Sequence, residues 1–194
     1  MTCNMTIVQE EIIKRIDRLA QSFGADHTAL IDTSDIRFDE MFRRICEGKT
    51  CGAYGTNWMC PPYVGDIREL INIAQSYDKA LVFQTITTIE DSFDVEGMYG
   101  AGKRNNNLAR KLKKNAILQG LGDVLVLGSG ACGFCEECAL KKGHQCPYEG
   151  SSIASIEAYG IDASSLASAG KLNYINGQNT VTYYGVVLFR EIRK

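Results

Sequence analysis

Residues 122–138 read GDVLVLGSGACGFCEEC, and they decide the fold class and the chemistry together. Residues 123–127 form a short apolar run bounded by glycines, the pattern of a buried strand. That strand passes directly into a glycine-rich segment, Gly128-Ser-Gly130-Ala, and then into Cys132, Cys135 and Cys138 at two-residue intervals. After seven intervening residues comes Cys146-Pro147. Zinc sites usually take cysteines in separated pairs, whereas a C-x2-C-x2-C run puts three thiolates on adjacent corners of an iron–sulfur cube. A fourth cysteine before proline completes a ferredoxin-like set, so Cys132, Cys135, Cys138 and Cys146 are expected to hold a 4Fe–4S cluster. The gap before Cys146 is longer than in the bacterial ferredoxin pattern and predicts a turn inside the loop. A structural zinc site, with His144 as one ligand, is the alternative.

Two phosphate-like motifs in this region lead elsewhere. Gly128-Ser-Gly130-Ala-Cys132-Gly133 fits G-x-G-x-x-G after a strand, but a dinucleotide fingerprint must open a long helix, and here the ligand run intervenes. Those glycines are expected to bring backbone amides close to cluster sulfurs. Residues 97–103 resemble a P-loop start, but Arg104 stands where a magnesium-binding Ser or Thr is needed.

A second cysteine block, ICEGKTCGAYGTNWMCPPY at residues 45–63, contains Cys46, Cys51 and Cys60. Its spacings fit no standard template, yet Cys60-Pro61 repeats the Cys146-Pro147 ending. In two-cluster ferredoxins the cysteine before proline serves the other cluster, so Cys60 could exchange places with Cys146; local closure by Cys146 is preferred because it needs no tertiary assumption. A second cluster on Cys46, Cys51 and Cys60 would leave one iron without a thiolate unless Cys3 or a non-cysteine ligand filled the position. Buried structural thiols or a redox pair are the plain alternatives. Tyr54, Trp58 and Tyr63 flank Cys60 as an apolar wall for a cluster or a substrate pocket.

Further out, apolar periodicity predicts an N-terminal helix carrying Ile12, Ile16, Leu19 and Phe23 and ending at Gly24. A strand at 27–33 follows. Asp35 can cap a helix presenting Phe38, Met41, Phe42 and Ile45 and stopping at Gly48. A helix bearing Ile67, Leu70, Ile71 and Ala74 precedes a β-rich run at 79–87. Residues 103–119 read as helix, with short helices expected at 152–159 and 164–169. Strands at 171–175 and 180–189, joined through Asn176-Gly177, read as a C-terminal β-hairpin. The fold class is α/β, mixed α+β: a central mixed sheet flanked by helices in a single domain over 1–194, with the cysteine loops as excursions.

The chain has 194 residues, 45% hydrophobic, with 21 basic and 23 acidic side chains and a net charge of −2. That composition supports a packed core and gives no global field for nucleic acid or an anionic membrane. No segment approaches the roughly 18 consecutive apolar residues of a membrane span, and the start lacks signal-peptide regions, so a cytoplasmic protein is expected. In a reducing compartment, eight clustered cysteines are read first as metal ligands or catalytic thiols. Lys103, Arg104, Arg110, Lys111, Lys113 and Lys114 fall within twelve residues, a helix face suited to an acidic redox partner or a small anionic substrate, or simply a solvated one. Neither His27 nor His144 builds a recognisable catalytic set.

CGAYGTNWMCPP at 51–62, CGFCEEC at 132–138, Cys146-Pro147 and SIEAYGID at 155–162 together resemble a bacterial and archaeal family of predicted metal-binding proteins of unknown function. The resemblance spans most of the chain and implies a small cytoplasmic iron–sulfur or other metal binder. Where the family would place a basic residue ahead of the SIEA-like segment, this chain has Gly150-Ser-Ser-Ile-Ala154. The reading is an iron–sulfur protein with a redox or electron-transfer role. Two alternatives stand beside it: an enzyme using an open iron as Lewis acid on a small substrate, and a zinc module for partner binding.

Overall fold

The structure is a computed structural model that describes residues 2–191, with side chains from Gln9 onward. Four strands build it: β1, His27–Asp32; β2, Lys79–Thr88; β3, Val124–Leu127; and β4, Thr180–Phe189. They lie in the order β1-β2-β4-β3. Ala80 and Val82 on β2 face one way, Leu81 and Phe83 the other, and all four are buried. With β4 alternating in the same manner, the two central strands need cover on both faces.

One cover is α1, Thr2–Ser22, and α4, Val95–Leu118. Ile16 and Ala20 from α1 and Leu108, Ala109, Leu112 and Ala116 from α4 pack on Leu81, Phe83, Val187 and Phe189. The other cover is α3, Ile67–Gln75, and α5, Ala163–Ala169, joined by the 156–161 strap. Between β1 and α3 lies a short α2, Met41–Glu47. No helix among the described residues is long and apolar enough to cross a membrane.

The mixed α/β class holds, with several corrections of detail. All three strand pairings are antiparallel, so the sheet is not mixed. Each strand-to-strand connection carries helix or long loop, enough chain to return to either end of the sheet. Thr180–Phe189 forms the C-terminal strand at the expected bounds, but residues 171–175 are not a second arm. There Leu172 N–H returns to Ala167 O, and the Asn173 carbonyl accepts from Gln84 Nε2 at 2.7 Å and Tyr184 Oη at 2.9 Å, which occupies the backbone a ladder would need.

Helix α2 starts at Met41 rather than near Asp35, because Phe38 is drawn into a bridge with Ile161 and Asp39 Oδ1 accepts from Met41 N at 2.8 Å. Helix α4 starts earlier than expected, capped by Asp94 on Gly97 N at 2.8 Å. Instead of a helix over 152–159 there is extended chain bridged in parallel to Gly128 through Ser155, with only a 3₁₀ turn at Glu157–Tyr159.

Candidate metal centre

The chain leaves β3 at Leu127 and is captured at once. Gly128 N–H donates to Ala154 O, and Ile156 N–H donates to Gly128 O, both at 2.9 Å. A Cβ on Gly128 would lie 2.1 Å from Asn106 Oδ1, so only glycine allows this approach. Beyond it, Gly130 at φ +59° and Gly133 at φ +56° turn the backbone on either side of Cys132. The longer gap before Cys146 contains the expected turn, a 3₁₀ segment Ala139–Lys142 ending at Gly143.

Cys132, Cys135, Cys138 and Cys146 all line one cavity of about 240 Å³, with Trp58, Phe134, Lys141 and Tyr148 among its walls. Burial pushes the Cys135 thiol pKa up, and the nearby Cys132, Cys146 and Cys138 push it the same way. Thiolates gathered around one cavity would repel one another, a cost that bound positive charge offsets. Among the described residues, no three Cys, His, Asp or Glu side chains converge closely enough to hold a single metal ion.

Helix α4 supports this loop along one stripe, Asn106, Arg110 and Lys113, spaced i, i+4, i+7 on one face. Asn106 is buried; its Nδ2 donates to Ser129 O at 2.8 Å and Ala131 O at 2.9 Å, while its Oδ1 accepts from Ser129 N at 2.9 Å. Arg110 Nη2 donates to the Cys132 carbonyl and lies 3.7 Å from Cys132 Sγ. Its guanidinium stacks 4.9 Å from the Phe134 ring, which meets Tyr148 edge-on at 4.8 Å. Lys113 Nζ donates to Ser152 O at 3.3 Å, and burial pulls its pKa down while Cys132 opposes that pull. Lys113 thus brings a cation from α4 to residues 150–154, which have no basic side chain of their own.

The six cations expected on one docking face divide among different surroundings. Arg104 is structural, donating to Ile86 O and Gly24 O and pairing with Asp26 at 3.0 Å. Arg110 and Lys113 face the cysteine loop. Lys111 Nζ lies 5.4 Å from the Phe23 ring centroid, and only Lys103, Lys111 and Lys114 are exposed.

The second cysteine block lies beside the first. Trp58 Nε1 donates to His144 O at 3.0 Å, tying the 51–60 loop to the 132–146 loop. His144 contributes its carbonyl there, and its ring is not among the cavity walls. Cys46 sits at the end of α2, Cys51 is exposed, and Cys60 is buried at 8% exposure. Burial pushes the Cys60 thiol to about 11; a hydrogen bond from Asn57 opposes this, and Cys51, Cys46 and Cys132 add to it. Burial also pushes Cys46 up, with Cys51 and Glu157 adding and Arg43 opposing. Tyr63 meets Trp58 edge-on at 5.5 Å, and Lys49 Nζ lies 5.8 Å from the Tyr54 ring. The side chain of Cys3 lies outside the described residues.

The family of predicted metal-binding proteins DUF2284 matches residues 29–189, from within β1 to the end of β4 and through both cysteine blocks. The chain belongs to this family. The part matched by DUF2284 is thus the sheet with its cysteine loops, and α1 lies outside it. No curated protein and no solved structure matches the chain.

Sequence reasoning missed the clamp. Asn105, Asn106 and Asn107 read as a polar run, yet Asn105 and Asn106 are buried; Asn105 Nδ2 donates to Thr85 Oγ1 at 3.1 Å and its Oδ1 accepts from Ser129 Oγ at 3.2 Å. The available signal was their place between Ala101 and Leu108, Ala109 and Leu112 on the helix's apolar face.

Proposed function

We propose that this protein binds a 4Fe–4S cluster through Cys132, Cys135, Cys138 and Cys146 and serves as a one-electron carrier. The observation that carries the reading is four thiols around one cavity, in a C-x2-C-x2-C run, with a guanidinium against Cys132 Sγ. Such a cluster supplies reversible one-electron chemistry when bound. The chain's own residues do the rest. Gly130 and Gly133 let backbone approach the thiols, Phe134, Tyr148 and Trp58 exclude water, and Arg110 and Lys113 offset negative charge. Cys146 on the same cavity wall supports local closure of the set. The exposed Lys103, Lys111 and Lys114 suit an acidic redox partner or a small anionic substrate.

The test is iron, acid-labile sulfide and zinc per chain on protein purified without oxygen, with its visible spectrum. Iron and sulfide in equal amount, at least about four of each per chain, support the reading. Zinc near one equivalent without sulfide overturns it and leaves a structural module.

A further inference from the structure

Two arginines in this fold share an unusual state. The Nε atoms of Arg43 and Arg110 are shut off from solvent and have no hydrogen-bond partner among the described residues. Stranding a buried donor costs about 1–3 kcal/mol, so two such donors call for acceptors. Arg110 stands against Cys132. Arg43 stands one helical turn before Cys46 on α2, with Nη2 donating to Gly65 O at 2.9 Å, and its charge acts on the Cys46 thiol. Each cysteine block therefore has one nearby guanidinium whose Nε is buried and without a partner among the described residues.

We propose that Cys46, Cys51 and Cys60 hold a second iron–sulfur cluster beside the first, with Arg43 as its fixed cationic donor. The 51–60 loop is shaped for such an occupant. Gly55 N–H donates to Pro61 O at 2.8 Å, folding the loop over Cys60, and Cys60 N–H donates to the carbonyl of buried Asn57 at 3.3 Å. The Cys60 thiol lies close enough to Cys51, Cys46 and Cys132 to feel the charge of each. Three thiolates leave one corner of the cluster open to a small oxygen or nitrogen ligand, unlike the four-cysteine site. This inference takes the first cluster from the reading above as its neighbour, but its own cysteines are disjoint from that set.

The experiment compares anaerobically purified wild type, Cys46→Ala/Cys51→Ala and Cys135→Ala/Cys138→Ala. Iron and sulfide are counted per chain, and EPR spectra are recorded after dithionite reduction. Both cysteines of the first double variant lie outside the hydrophobic core, and circular dichroism checks that each variant keeps its fold. Two clusters predict about eight irons in wild type and a twofold fall in each variant. They also predict a wild-type spectrum broadened by coupling that sharpens when either block is removed. About four irons in wild type, with count and spectrum unchanged in Cys46→Ala/Cys51→Ala, would overturn the second cluster and leave the first. Loss of nearly all iron and sulfide in Cys46→Ala/Cys51→Ala, with no change in Cys135→Ala/Cys138→Ala, would sink the first-site reading and keep the second.

Discussion

The two cysteine blocks meet at the Trp58–His144 hydrogen bond, yet they are built differently. The loop from Cys132 to Cys146 takes its shape from outside itself: β3 delivers it, Gly128 pins it to the strap, and α4 grips it through Asn106, Arg110 and Lys113. The loop from Cys46 to Cys60 takes its shape largely from within. Gly48 N–H returns to Arg44 O, Lys49 N–H to Cys46 O, Gly52 N–H to Lys49 O and Thr56 N–H to Ala53 O, a chain of local turns. Only Asn57 and Cys60 of this loop are buried. An externally clamped loop keeps its geometry as long as the helix and sheet stand, whereas a self-turned loop depends on short-range bonds and on what it encloses.

The clamp offers the largest contrast. Asn106→Leu strands Ser129 N–H and removes the donors to Ser129 O and Ala131 O, and should lower stability by about 3 kcal/mol, at the upper end for a buried donor left alone. Urea unfolding of metal-free protein measures it. A loss under half that size would mean that the sheet alone holds the Cys132 loop.

Cys60 separates the blocks by pH. In metal-free protein burial keeps its thiol neutral and moves its pKa to about 11 from an ordinary 9.0. A folded pKa above the unfolded one contributes stability that is present below about pH 9 and lost as pH rises toward 11, about 3 kcal/mol in all. Unfolding free energies measured under reducing conditions across that window should fall less steeply in Cys60→Ala than in wild type.

Arg110 tests the electrostatics of the clamped loop. Arg110→Met removes a positive charge 3.7 Å from Cys132 Sγ and would disfavour the reduced, more negative state of the proposed cluster. A tenfold tilt toward the oxidised form, 59 mV for one electron, is expected in a redox titration. An unchanged potential at normal iron content would confine Arg110 to its backbone contact. The smallest effect belongs to the link between blocks. Trp58→Phe loses the bond to His144 O and should destabilise by about 1 kcal/mol, read by the same urea series.

The parts legible in the sequence are those set by local chemistry. Periodicity and β-rich composition give β2 and β4 nearly residue by residue, the spacing of Ile67, Leu70, Ile71 and Ala74 gives α3, and the cysteine spacing marks the cavity wall. What escaped is set by partners far away in the chain. Gly97, Gly100 and Gly102 argue against helix, but the Asp94 cap and the packing of α4 carry it through them. Residues 152–156 look helical until Gly128 claims their backbone as an edge. The hairpin signal Asn176-Gly177 is overruled because side chains from β2 and β4 occupy the Asn173 carbonyl.

The stripe on α4 also bears on how this loop can change over generations. Asn106 fixes where it begins and Lys113 holds the segment where it ends, both from one rigid helix, while Lys141, Lys142, Gly143 and His144 between them lie exposed. Residues inserted or deleted in that exposed stretch would alter neither anchorage. The spacing before the Cys-Pro dipeptide is therefore a coordinate along which the loop can change length without loosening either end, at the expense of the Lys141 wall and the Trp58–His144 link.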